Sequence, residues 1–140
     1  MERRSMQELA QILKAGRTVA VVGLSSRTDR PSHRIPAYLQ EQGYRIIPVN
    51  PTLSEALGER AYPSLSEVPE AVDIVQIFRR SEDVPPVVDE AIAIGAKVVW
   101  MQAGIVNEDA ARKAGEAGLQ VVMDTCMGAT HRALRAQGVI

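Results

Sequence analysis

Cysteine is almost missing. Cys126 stands alone in 140 residues, which excludes an internal disulfide and a cysteine-based metal cluster and fits a reducing, intracellular setting. Charge of either sign is not in surplus. The formal net charge is −1 with 24% charged residues, whereas non-specific nucleic-acid or membrane binding calls for excess positive charge. Neither is an expected partner. No run approaches the roughly 20 apolar residues of a membrane-spanning helix. The opening stretch MERRSMQELAQILKAG lacks the apolar centre of a secretory leader. Its Met6, Leu9, Ile12 and Leu13 fall at helical spacing instead. A cytoplasmic protein is the expectation. Lysine is scarce too, with only Lys14, Lys97 and Lys113 beside many arginines. Arginine suits planar recognition of phosphates, and it also follows genome composition or thermal adaptation.

What the chain does have is alternation. Four apolar runs rich in β-branched residues read as buried strands: TVAVVG (18–23), IVQIF (74–78), KVVWM (97–101) and LQVVM (119–123). A fifth, RIIPVN (45–50), carries Pro48 and belongs nearer an edge. Helical faces lie between them. Ile35, Tyr38, Leu39 and Gln42 make one, closed by Gly43, and Val84, Val87, Val88, Ala91 and Ile92 make another, closed by Gly95. Asn107 is placed to cap a helix over 108–117, with Gly118 after it. Residues 51–72 lack a strong period and suggest a turn and a short helix near 66–70. The length suits one domain, 1–140. Strands alternating with helices imply an α/β protein, a five-stranded parallel sheet covered on both faces. The expected strand order is 3-2-1-4-5, with the switch point beside strand 1 and ligands at the carboxyl ends there.

The loops at those ends carry the functional signal, again partly through what they lack. A dinucleotide fingerprint needs glycines at three places. Gly23 fills the first, but Ser25 and Thr28 stand at the others, and strand 2 ends in Asn50 rather than an acid for a ribose hydroxyl. NAD is disfavoured twice, and no Walker-type phosphate loop exists. The first loop, VVGLSSRTDRPSHR, still suits an anion. Ser25, Ser26, Thr28 and Ser32 offer hydroxyls, and Arg27, Arg30 and Arg34 offer guanidinium forks. Helix starts at SEDV and NEDA place carboxylates on their own positive ends, whereas RPSHR has none in its first turn. The plainer reading is that Ser32 caps this helix and the arginines are solvated. Phe78 is either core or an aromatic wall for a purine, with Arg79 or Arg80 near a phosphate. Gln102 and Gly104 mark the fourth loop. Cys126 and His131, five residues apart, diverge on a helix and lack a third orienting group, so a nucleophile–base pair is not supported. Two histidines and one cysteine make no convincing metal site.

VVGLSSRTDRPSHR, IPVNP, IFRRSED, MQAGIVNED and DTC occur in order at successive strand ends. In this the chain resembles the small stand-alone CoA-binding proteins, related to the CoA-binding domain of the succinyl-CoA synthetase α subunit. The likeness runs from about residue 14 to 128. It implies a Rossmann-like domain holding coenzyme A at the switch point. By that likeness Gly23, Leu24, Ser25 and Ser26 meet the diphosphate, and Arg27, Arg30, Ser32 and Arg34 add charge and hydroxyls. Asn50, Pro51, Phe78 and Arg79 lie along the nucleotide. Gln102, Ala103 and Gly104 line the pantetheine path, and Cys126 stands near the thiol end. Thr125 departs from the arginine common in relatives at that place. The phosphohistidine of the synthetase belongs to another domain, so synthetase chemistry does not carry over. Coenzyme A bears a diphosphate and a 3′-phosphate, which favours a loop poor in glycine and rich in Arg and Ser. The resulting expectation is a CoA or acyl-CoA carrier, sensor or regulatory module without catalysis, serving an unidentified partner enzyme. The alternatives are an acyl-CoA-handling enzyme using Cys126 or His33, and an NAD(P)- or ADP-binding sensor.

Overall fold

Five parallel strands form the middle layer of the protein. The computed structural model describes residues 4–140; residues 1–3 of the opening stretch lie outside the described residues. The elements are α1 (Met6–Ala15), β1 (Thr18–Val22), α2 (Pro31–Glu41), β2 (Arg45–Val49), a small hairpin of β3 (Glu55–Ala56) and β4 (Glu59–Arg60), β5 (Ile74–Ile77), α3 (Val84–Ala93), β6 (Val98–Met101), α4 (Glu108–Glu116), β7 (Gln120–Val122) and α5 (Met127–Ala136). Single 3-10 turns occupy Leu65–Glu67 and Ser81–Asp83.

The strands are apolar without alternation because both faces are covered. One core layer joins Val22, Val75, Ile77, Val99 and Val121 to α3 and α4. The other joins Val19, Val21, Ile74 and Trp100 to α1, α2 and α5. The parallel sheet covered on both faces is as the alternation implied, and the three-layer architecture is Rossmann-like, as the resemblance implied. The short helix near 66–70 is the 3-10 turn at 65–67.

The strand order differs from the expected one. The sheet runs β2-β1-β5-β6-β7, which is 2-1-3-4-5 counting the long strands, not 3-2-1-4-5. The cause lies in residues 50–73, which contain no α-helix to carry a crossover outward past β2. Instead the chain folds back on the outer edge of β2. Tyr62 N–H donates to Pro48 O (3.0 Å) and Asn50 N–H to Tyr62 O (2.9 Å). With that side taken, β5 pairs on the other side of β1, Val19 to Val22 against Ile74 to Ile77. Arg45 ties the segment down through ion pairs to Glu59 and Glu70. Pro48 sits on an edge strand, as its missing N–H demands. At the other edge, Arg4 Nε donates to Val121 O of β7 (3.0 Å). The switch point remains at β1, where successive connections leave in opposite directions.

Candidate functional site

Three strand ends meet at Gly23. Its N–H donates to Val49 O (2.9 Å), and the Phe78 N–H donates to Val22 O (2.9 Å). Gly23 has φ +91°, and a Cβ there would lie 2.2 Å from Phe78 O and 3.1 Å from Arg79 Nη1. Glycine is required by both conformation and space. The Arg79 guanidinium thus hangs over this turn.

Residues 24–34 divide into those that build the loop and those left over. Leu24 is wholly buried in the α1, α2 and α5 layer, so its side chain is core, and its carbonyl is taken by Asn50 Nδ2 (3.0 Å). Ser25 is a brace. Its N–H donates to Ser32 O (3.2 Å), its Oγ accepts from Arg27 N (3.1 Å), and its carbonyl bonds His33 Nδ1 (2.8 Å). Arg34 Nη1 donates to Asp29 O (2.6 Å). Arg27 Nη2 faces Asp29 Oδ2 at 3.4 Å, both exposed. The Ser26 and Ser32 hydroxyls and the Arg30 guanidinium have no hydrogen-bond or ion-pair partner among the described residues.

The start of α2 is open. Arg30, not Ser32, is its N-cap, with no side-chain cap bond and no acid in the first turn. The reading of Ser32 as a cap is therefore corrected: Pro31 and Ser32 are already helical, because proline fits the first helical position. The positive helix end keeps unfilled capacity for an anion. By contrast, α4 opens with Glu108 and Asp109, capped by Asn107 from Ala110 N–H (2.9 Å). The acids of SEDV lie in the 3-10 turn before α3, where Arg80 pairs with Glu82 and Asp83. Arg80 is thereby occupied, whereas Arg79 has no ion pair among the described residues.

Beyond β2, Asn50 is consumed internally. Its Oδ1 accepts from Thr52 N and Oγ1 (3.0 and 2.8 Å), so it braces the loop over which a ligand would lie. Pro51 and Arg79 border a cavity of about 180 Å³ whose other walls include Val22, Leu65, Val87 and Glu90. Leu65 and Glu90 escaped the sequence reading, because nothing local places them at the strand ends. Phe78 lies on the opposite face, half-buried against the α1, α2 and α5 layer, so it does not wall this cavity.

The fourth and fifth loops are clamped together. Gly104, at φ +82°, donates its N–H to Asp124 Oδ1 (2.7 Å). Thr125 N–H donates to Met101 O (3.2 Å), and Trp100 Nε1 to Thr125 O (2.7 Å). Ala103 is exposed, and Gln102 is buried with its Nε2 unbonded. Cys126 is the N-cap of α5, its Sγ accepting from Ala129 N–H (3.4 Å). His131 turns away to Tyr38, its Nδ1 2.9 Å from the phenol oxygen. Burial, helped by the cationic Arg135 and Arg17, holds His131 below the ordinary imidazole pKa. One residue outside the expected set stands out. Gln76, wholly buried in β5, leaves both amide atoms unbonded; the glutamine inside IVQIF was its only signal. Among the described residues no cluster of three or more His, Cys, Asp or Glu could hold a metal.

An open helix end, free guanidinium groups, a lined cavity and orphaned amides fit a phosphorylated, hydrogen-bonding ligand. Known proteins give this arrangement a context. Residues 17–132 match the family model described as a CoA binding domain. The chain is 47% identical over 131 residues to the uncharacterized protein YneT of Bacillus subtilis (strain 168), covering 94% of this chain and 97% of that one. It is 33% identical over 95 residues to acetate–CoA ligase [ADP-forming] II of Archaeoglobus fulgidus, 66% of this chain but 14% of the ligase. Among solved structures, a hypothetical protein from Pyrococcus horikoshii OT3 superposes with a TM-score of 0.91 at 35% identity, covering 96% of this chain and 99% of that one. A dinucleotide-forming acetyl-coenzyme A synthetase of Ca. Korarchaeum cryptofilum, in complex with phosphate and ADP, gives 0.73 at 26% identity, covering 82% of this chain and 28% of that one. The stand-alone relatives share the whole length and the ligases only one portion, and on both counts this chain belongs to the CoA-binding domain family.

Proposed function

We propose that the protein binds coenzyme A, or an acyl-CoA, across the carboxyl ends of β2, β1, β5 and β6, as a carrier, sensor or regulatory module without catalysis of its own. The observation that carries this reading is the acid-free start of α2 beside two guanidinium groups, Arg30 and Arg79, that have no acidic partner among the described residues. Phosphates are the chemistry such a site accepts best. The diphosphate lies at the Gly23 turn under Arg79, and the 3′-phosphate draws on Arg30 with Arg27. The adenine end enters the cavity beside Pro51. The pantetheine arm passes Gln102, Ala103 and Gly104 toward Cys126. The engagement of His131 with Tyr38 favours this reading over an enzyme built on a Cys126–histidine pair.

Thermal melts test it. A ligand that binds only the native state stabilises by RT ln(1 + [L]/Kd), about 2.7 kcal/mol at a hundredfold excess over Kd. Coenzyme A raises Tm more than dephospho-CoA, and both raise it more than NAD. Equal shifts for all three remove the 3′-phosphate site, and no shift with any of them removes the proposal.

A further inference from the structure

Resting on that reading, we infer that the buried amides of Gln76 and Gln102 form a polar end-site for the acyl group, selecting short thioesters that carry a second carbonyl oxygen over plain hydrocarbon ones. Gln76 is the residue that makes the case. It lies in β5 with Val21 of β1 opposite it on one side and Trp100 of β6 on the other. It is 0% exposed, and neither Oε1 nor Nε2 has a hydrogen-bond partner among the described residues. Gln102 is 2% exposed, with Nε2 unbonded. Buried amides in native proteins are almost always satisfied, so two such side chains, one in β5 and one just past the end of β6, call for a partner.

Their placement says where the partner comes from. Side chains alternate along a strand, so Gln76 shares the α2 and α5 face with Trp100, and Gln102 continues that column beyond the end of β6. Both amides therefore lie on the side of the sheet where α2 and α5 begin, the two helices at this edge whose caps and first turns hold no acid. The loop carrying Cys126 is fastened to the same strand through Met101 O and Trp100 Nε1. The thiol end of a carrier arriving at Cys126 is thus brought to the strand that ends in Gln102, with Gln76 one pleat deeper. The unbonded atoms are two NH2 groups and one carbonyl. That set has more donors than acceptors and asks for ligand oxygens. Leu24, Trp100 and Met127 are fully buried in the same layer, which leaves a long hydrocarbon chain without room.

Isothermal titration of the full chain with coenzyme A, acetoacetyl-CoA, butyryl-CoA and octanoyl-CoA tests this. Acetoacetyl-CoA is expected to bind about tenfold tighter than butyryl-CoA, the scale of one good hydrogen bond, with octanoyl-CoA weakest. Gln76→Leu shrinks the acetoacetyl preference while leaving coenzyme A itself bound as before. Equal affinity for acetoacetyl- and butyryl-CoA in the natural protein, a measurement that needs no variant, overturns the inference. So does a preference that survives undiminished in Gln76→Leu. Firm coenzyme A binding without acyl preference removes this inference alone, whereas no binding of any of the four removes the parent reading as well.

Discussion

Single residues decide whether the turn at the switch point can exist. A Gly23→Ala change puts a methyl group into the Phe78 carbonyl and forces a positive φ on a residue that avoids it. Strain of that kind costs about 1–3 kcal/mol and overpacking a similar amount. Urea denaturation of the variant should show a loss of at least about 2 kcal/mol. For ligand binding, the arginines rank by their existing partners. Arg27 is shared with Asp29, whereas Arg30 and Arg79 have no acidic partner among the described residues. Arg30→Ala and Arg79→Ala should each weaken coenzyme A by about 1–3 kcal/mol, as loss of charge-assisted bonds implies, and Arg27→Ala by less. Titration calorimetry of the three variants checks the order. The residue types at this site were readable, since Gly23, the arginines and the serines stand together in one loop. Their division of labour was not. That Leu24 faces the core, that Asn50 spends its amide on Leu24 and Thr52, and that Arg27 pairs with Asp29 are facts of side-chain direction. Nothing in linear spacing distinguishes them.

At the scale of elements, caps and pairings separate what stabilises from what binds. Asn107 caps α4 and also donates through Nδ2 to Ser81 O (3.0 Å). Asn107→Ala should therefore cost about 1–2 kcal/mol, seen as a lower urea midpoint. It should leave coenzyme A affinity unchanged. The contact between α2 and α5 carries a pH dependence. His131 is packed between Tyr38 and Tyr44 and holds a lowered pKa through burial, Arg135 and Arg17. The unfolded chain then binds the proton more readily than the folded one. The His131 contribution is fully present above the unfolded pKa, about 6.5, and is lost as pH falls below it toward the folded value. Denaturation midpoints measured from pH 7.5 down to 5 should fall in the natural protein and fall less in His131→Gln. Helices and strands were legible because apolar periodicity is local. The strand order was not, because the deciding event is a long-range one. Tyr62 bonds along the outer edge of β2, and no periodicity in residues 51–72 announces it.

Seen as a whole molecule, the sheet is partly covered along both margins. Beside β2 the hydrogen-bonding groups of Pro48 and Asn50 go to Tyr62. At the opposite margin β7 is three residues long, and Arg4 covers its Val121 carbonyl. Bare sheet margins are where foreign strands add and where fibrils start. A polypeptide that blunts both is poorly suited to lateral polymerisation. The carboxyl rim differs from these margins: there the turn at Gly23 and the start of α2 carry no acid of their own.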